Sequence, residues 1–141
     1  MVFGPVGTGK TYFCSAMLAA LVEKHGYVRG FKEPDLLRKI RDKISSGGSG
    51  DYLSHLISFC DERIMIFDDI GSSGHTDWRE EVILELIDFR YRENLPTIFT
   101  SNLTRQEFYD SYGKRIQSRL FAKENLIIDS SEMQDYRENG K

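Results

Sequence analysis

The sequence predicts an α/β protein in which helices cover a parallel sheet, and three observations carry that expectation. Gly4-Pro5-Val6-Gly7-Thr8-Gly9-Lys10-Thr11 fits the phosphate-loop spacing of Gly, four free positions and Gly-Lys-Ser/Thr, a turn leading from a strand into a helix. Ile64-Met65-Ile66-Phe67 is an unbroken apolar run ending in two acids, Asp68 and Asp69, as in a parallel strand buried on both faces. Between and beyond these, short apolar runs alternate with helical patterns along the 141 residues.

Met1-Val2-Phe3 reads as the strand that feeds the loop. It is short for that role, so the sequence is expected to be a core lacking its N-terminal part. From Thr11 to Lys24, Phe13, Met17, Ala20 and Leu21 predict the packed face of a helix, with Ala16, Leu18 and Val22 widening it. His25-Gly26 ends that helix, and Tyr27 to Phe31 reads as a second strand. Pro34-Asp35 opens a helix with Leu36, Leu37, Ile40 and Ile44 inward and Arg38, Lys39, Arg41 and Lys43 outward. Ser45 to Gly50 is all Ser and Gly and predicts a mobile, poorly ordered loop. Tyr52, Leu53, Leu56, Ile57 and Cys60 predict the apolar face of the next helix, which leaves His55 on the surface.

After Ile64 to Asp69 and a loop containing His75, Asp77 to Arg92 predicts a sheet-covering helix. Its Val82, Ile83, Leu86 and Ile87 point inward, and Glu81, Glu85 and Asp88 outward. Trp78 reads as a packing anchor, and His75 has no partner at metal spacing. Pro96 to Thr100 is a fourth strand that delivers Ser101-Asn102. Short helices over 105–110 and 114–121 and a strand over 126–128 complete the chain.

Nineteen Lys and Arg against twenty-two Asp and Glu give a net charge of −3, so any nucleic-acid contact must be a local patch. The stripe of Arg38, Lys39, Arg41 and Lys43 is such a patch, or else an ordinary solvated face. Cys14 and Cys60 read as reduced core residues, and no apolar run is long enough to span a bilayer. Together these predict one soluble, cytoplasmic domain with no membrane partner.

The phosphate loop predicts a nucleotide site. Its glycines turn backbone N–H groups inward, Lys10 reaches the β and γ phosphates, and the Thr11 hydroxyl is placed to ligate Mg²⁺. The nucleotide-contacting set is Gly4, Pro5, Val6, Gly7, Thr8, Gly9, Lys10, Thr11 and Tyr12. Asp68 is expected to hold Mg²⁺ through water and Asp69 to polarise the attacking water. Ser101-Asn102 faces the γ-phosphate side, or equally caps the helix after Thr104. Arg115 and Arg119 share one helix face, either as surface charge or as groups reaching the phosphate of a neighbouring subunit.

Taken in order, the phosphate loop, Ile66-Phe67-Asp68-Asp69-Ile70-Gly71, Thr76-Asp77-Trp78, Pro96 to Leu103, Arg115-Ile116-Gln117-Ser118-Arg119-Leu120 and Asp135-Tyr136-Arg137 resemble one family. It is the AAA+ ATPases of the DnaC/DnaI helicase-loader and IstB transposition-helper group, and the resemblance covers nearly the whole chain. It implies a P-loop NTPase fold, a three-layer α/β/α sandwich of AAA+ type without a lid, with parallel strand order 5-1-4-3-2. It implies ATP and Mg²⁺ as cofactors, Asn102 as the γ-phosphate sensor, and Arg119 as the finger reaching a neighbour's nucleotide with Arg115 beside it. The partners it implies are a replicative helicase or a transposase, single-stranded DNA, and further copies of the chain in a nucleotide-dependent homo-oligomer.

The expected function is that of a DnaC-like ATPase loading a helicase in DNA replication, with an IstB-like transposition helper as the alternative. A small P-loop phosphotransferase would need an acceptor pocket and an Arg-rich lid, and two acids opposite Ser101-Asn102 suit attack by water better. A nucleotide-binding adaptor without hydrolysis is a third reading.

Overall fold

In the computed structural model, residues 1–46, 52–74 and 76–135 are described. Eleven elements follow in order among them. They are β1 (Val2–Phe3), α1 (Lys10–His25), β2 (Arg29–Lys32), α2 (Glu33–Ser45), α3 (Tyr52–Cys60) and β3 (Met65–Asp68), then α4 (Asp77–Arg92), β4 (Thr97–Ser101), α5 (Arg105–Ser111), α6 (Lys114–Leu120) and β5 (Ile128–Asp129). The five strands form one parallel sheet in the order β2-β3-β4-β1-β5. Read from the other edge this is 5-1-4-3-2, the order the resemblance implied.

Strand alternation divides the core into two unequal layers, because successive side chains point to opposite faces. Met65, Phe67 and Phe99 join Leu36, Ile40, Leu56, Val82, Ile83, Leu86, Phe108, Ile116 and Leu120, so α2 to α6 cover one face. Ile64, Ile66, Ile98 and Val28 meet α1 on the other, through Cys14, Leu18 and Leu21. The packed face of α1 is therefore rotated from the expected one. Phe13 and Val22 are exposed, and Ala16 and Ala20 with them. This helix is apolar on every side over its first three turns, so periodicity alone could not choose the face that docks.

Two further expectations are corrected. His55 is buried, because α3 packs against both α2 and α4 and little of it is left free. Ile44 is exposed, since the α2 core face ends at Ile40. The expected mobile loop before α3 and the residue His75 lie outside the described residues, apart from Ser45 and Ser46 at the end of α2.

A buried arginine ties the amino-terminal edge of the sheet. Arg90 of α4 is 2% exposed and donates to the Cys60, Glu62 and Pro96 carbonyls and to Thr97 Oγ1, which joins the ends of α3 and α4 to the starts of β3 and β4. A guanidinium carries five fixed donors, so one side chain can satisfy several loop carbonyls that burial has cut off from water.

Candidate nucleotide site

The register decides which residues meet. Phe3 is level with Ser101 of β4 and Asp129 of β5, and Phe67 with Phe99. The chain leaving each of these strands therefore emerges at one carboxyl-terminal edge, where parallel α/β sheets bind ligands. The phosphate loop after β1, Asp68-Asp69 at the end of β3 and Ser101-Asn102 at the end of β4 all sit there.

The loop curls as its glycines allow. Gly7 has φ +88°, a left-handed conformation that strains any residue with a side chain, and a Cβ there would also run into the Asp135 carboxylate. Lys10 is buried, and its ammonium donates to the carbonyls of Gly4 at 2.8 Å and Pro5 at 2.6 Å. Thr8 Oγ1 lies 2.9 Å from Ser130 Oγ, and Ser130 Oγ donates to the Phe3 carbonyl, so the chain after β5 braces the loop from below. The side chains of Pro5 and Val6 face outward from this braced interior, and Tyr12 is 81% exposed at the rim.

Across from the loop, Thr100 organises the acids. Its hydroxyl donates to Asp68 Oδ1 at 2.5 Å and accepts from the Asp69 N–H at 2.9 Å. Thr11 Oγ1 donates to Asp68 Oδ2 at 3.5 Å, so the two side chains expected at the metal face each other. Asp69 has φ +63°, a left-handed conformation rare for a residue other than glycine, and Asn102 Nδ2 donates to its Oδ1 at 2.5 Å. Desolvation, then the neighbouring Asp68 charge, raise the Asp69 carboxyl above its ordinary value, with Lys32 opposing them.

Of the two readings of Ser101-Asn102, the cap is excluded. Thr104 caps α5 in a capping box with Glu107, so Asn102 is not the cap, and its amide turns to Asp69. Ser101 is buried and donates to the Ile70 carbonyl, fixing the turn after β3. Arg115 and Arg119 lie elsewhere on α6, where both meet Asp88 of α4 in the same chain.

These residues fit a Mg²⁺-nucleotide. Thr11 and Asp68 offer the hard oxygen donors that Mg²⁺ prefers. The Asp135 carboxylate against Gly7 places an anionic group on the loop itself, as phosphate would be. A cavity of 530 Å³ opens beside the pair, lined by Thr11, Cys14, Lys32, Arg38, Lys39 and Asp68. Another of 490 Å³, at the starts of β1, β4 and β5, has none of the loop residues in its lining. The Cys14 thiol is pushed up to about 11, chiefly by burial and then by Asp68, and so stays protonated.

Sequence reasoning did not single out Thr100, Ser130 or Glu33. Each is a polar residue at the carboxyl end of a strand or directly after it, and that position was the available signal. Glu33, fully buried, accepts from the Gly71 N–H at 2.6 Å and pairs with the buried Arg79 and Tyr112, so one carboxylate holds the turn after Asp69 against α4 and α5.

The model of the family described as IstB-like ATP binding protein matches residues 1–121. The replicative helicase loader DnaI of Bacillus subtilis is 28% identical over 117 residues, covering 81% of this chain and 37% of that protein. An insertion-sequence ATP-binding protein of Mycobacterium tuberculosis is 29% identical over 111 residues, covering 77% of this chain and 42% of that protein. The chain thus spans about two fifths of each relative. Among solved structures, the DnaC helicase loader superimposes with a TM-score of 0.76 at 26% identity, over 91% of this chain and 75% of that one. AMPPCP-bound DnaA from Aquifex aeolicus gives 0.72 at 17% identity, over 91% of this chain and 38% of that one, which speaks to the fold alone.

Proposed function

The chain belongs to the IstB-like ATP-binding protein family, an AAA+ group related to the DnaI and DnaC loaders, and from that premise we propose that it binds and hydrolyses ATP with Mg²⁺ to deliver a partner protein onto DNA. The observation that carries the reading is the meeting of Lys10, Thr11, Asp68, Asp69 and Asn102 at one sheet edge. In this reading the loop N–H groups and Lys10 bind the phosphates, and Thr11 with Asp68 holds the metal. The metal ion would neutralise charge on the phosphate oxygens. Asp69 accepts hydrogen from the attacking water at its carboxylate, and Asn102 fixes the direction of that carboxylate while facing the γ-phosphate. Arg119 serves the nucleotide of an adjoining copy, and Arg115 stands beside it on α6.

The DnaI and DnaC similarities support a helicase loader acting in DNA replication, with a replicative helicase as partner and single-stranded DNA as the surface of assembly. The family model and the insertion-sequence relative support a second reading, a transposition helper whose partner is a transposase. A fluorescent ATP analogue titrated into the protein, followed by phosphate release with and without single-stranded DNA, tests the common part. Binding that requires Mg²⁺, together with release of free phosphate, is expected. Transfer of phosphate to a small acceptor in place of water would return the chain to the phosphotransferases. Co-sedimentation with the host helicase or with a transposase separates the two readings.

A further inference from the structure

Arg115 and Arg119 lie one turn apart on α6, and their guanidinium groups meet the same carboxylate on α4. Arg115 Nη2 is 3.3 Å from Asp88 Oδ2, and Arg119 Nε pairs with Asp88 Oδ1. Arg119 is also turned back along its own helix, where its Nη1 donates to the Arg115 carbonyl at 2.9 Å. The three side chains differ in exposure: Arg119 is 27% exposed, Asp88 19% and Arg115 70%. They share a groove of 600 Å³ between α3, α4 and α6, in which Glu81, Glu85 and Arg92 are the other charged residues.

We propose that Asp88 is a positioning residue that stores Arg119 within its own chain and hands it over when a neighbouring copy presents a nucleotide, with Arg115 taking the carboxylate as Arg119 leaves. This rests on the reading of Arg119 as a group acting between copies. The physical case is the cost of the exchange. A largely buried carboxylate that loses its single partner is left uncompensated, which opposes any such movement. Here one carboxylate has two arginines, one on each oxygen, so Asp88 stays paired when Arg119 departs. The more exposed Arg115 is the one free to remain, because its side chain already lies along the solvent edge of the groove. The guanidinium fork that fits a carboxylate also fits a phosphate, so Arg119 exchanges a contact to one carboxylate oxygen for an acceptor of higher charge that both arms of the fork can engage. The release is then conditional on a neighbour's phosphate.

The test measures ATP turnover against protein concentration for the wild type, D88N, R115Q, the double variant and R119A. Storage by Asp88 opposes the transfer, so D88N is expected to lower the concentration at half-maximal turnover by about three- to tenfold, with the plateau kept. R115Q is expected to raise that concentration by a similar factor, and to have no effect in the D88N background, because Arg115 acts through Asp88. A D88N protein with a higher midpoint or a lower plateau would mean that Asp88 only aims the finger or braces the fold. An unchanged R115Q midpoint would equally overturn the hand-off. R115Q alters an exposed side chain, so it remains informative if D88N is poorly folded. A second readout needs no turnover: phenylglyoxal labelling of Arg119, followed by peptide mass, should rise severalfold in D88N without nucleotide, and equal labelling would contradict storage. If R119A kept the wild-type concentration profile, the finger reading itself would fail. If R119A lost the climb while D88N and R115Q left it unmoved, only the hand-off would.

Discussion

Lys10 and Asp69 face one site with opposite duties, and single substitutions should separate them. Lys10→Ala removes the buried countercharge for phosphate and should abolish binding in a fluorescent-nucleotide titration. Asp69→Asn should bind within a few-fold of the wild type while turnover falls by about 10² to 10⁴, the usual worth of a general base. Equal loss of binding in both would contradict the role given to Asp69. Stability provides an independent check. The carboxyl of Asp69 is raised in the fold, so the native state binds its proton more tightly than the unfolded chain does, and stability falls as pH rises through the folded value. Asp69→Asn should therefore melt higher than the wild type at neutral pH, with the gap closing on acidification, and asparagine also tolerates the left-handed backbone at this position. Much of this site was legible residue by residue, because the phosphate loop and the paired acids are local patterns. Thr100 and Ser130 were not, since each gains its role from a loop or strand distant in sequence.

Among the elements, α4 was legible in its bounds and its inward apolar positions, though not in its buried Arg79 and Arg90, whereas the docked face of α1 was not, because a helix with apolar residues on every side holds no record of which face docks. The sequence also hid the polar joints between helices. Glu33, at the start of α2, is legible only as a first-turn acid, yet it accepts from the turn after β3, from α4 and from the end of α5. Arg79→Ala would leave that carboxylate buried without its countercharge, and a loss of about 3 to 5 kcal/mol is expected in a denaturant titration. Tyr112→Phe removes one hydroxyl from the same cluster and should lose about 1 to 2 kcal/mol. A smaller loss for Arg79→Ala than for Tyr112→Phe would contradict the charge argument. The stripe on α2 is partly engaged locally: Arg38 pairs with Asp35, Lys39 lies over Phe31 and Arg41 over Trp78. These pairings leave their charges exposed. If the stripe meets DNA backbone, neutralising it should weaken single-stranded DNA binding evenly across sequences and flatten the salt slope by roughly 0.7 per lost contact. An unchanged slope would assign the stripe to solvent.

For the whole molecule, the sheet order was reached by resemblance, and the parallel register then brings the loop, the acids and Asn102 to one edge. The arginines of α6 did not join them: their carboxylate partner on α4 is set by helix packing, which no local spacing reveals. On the proposed reading, these arginines serve the nucleotide of a second copy. A finger supplied between copies is worth about 10³ to 10⁵ in turnover. The most direct measurement of that claim mixes the Arg119→Ala protein with the Asp69→Asn protein, each inactive alone, after light scattering has shown that the two co-assemble. Some interfaces would then pair an intact Asp69 with an intact Arg119, and turnover should recover to a substantial fraction of the wild-type rate at the same total concentration. Turnover that stays at the level of the separate variants in the co-assembled mixture would contradict it and place Arg119 in the service of its own chain.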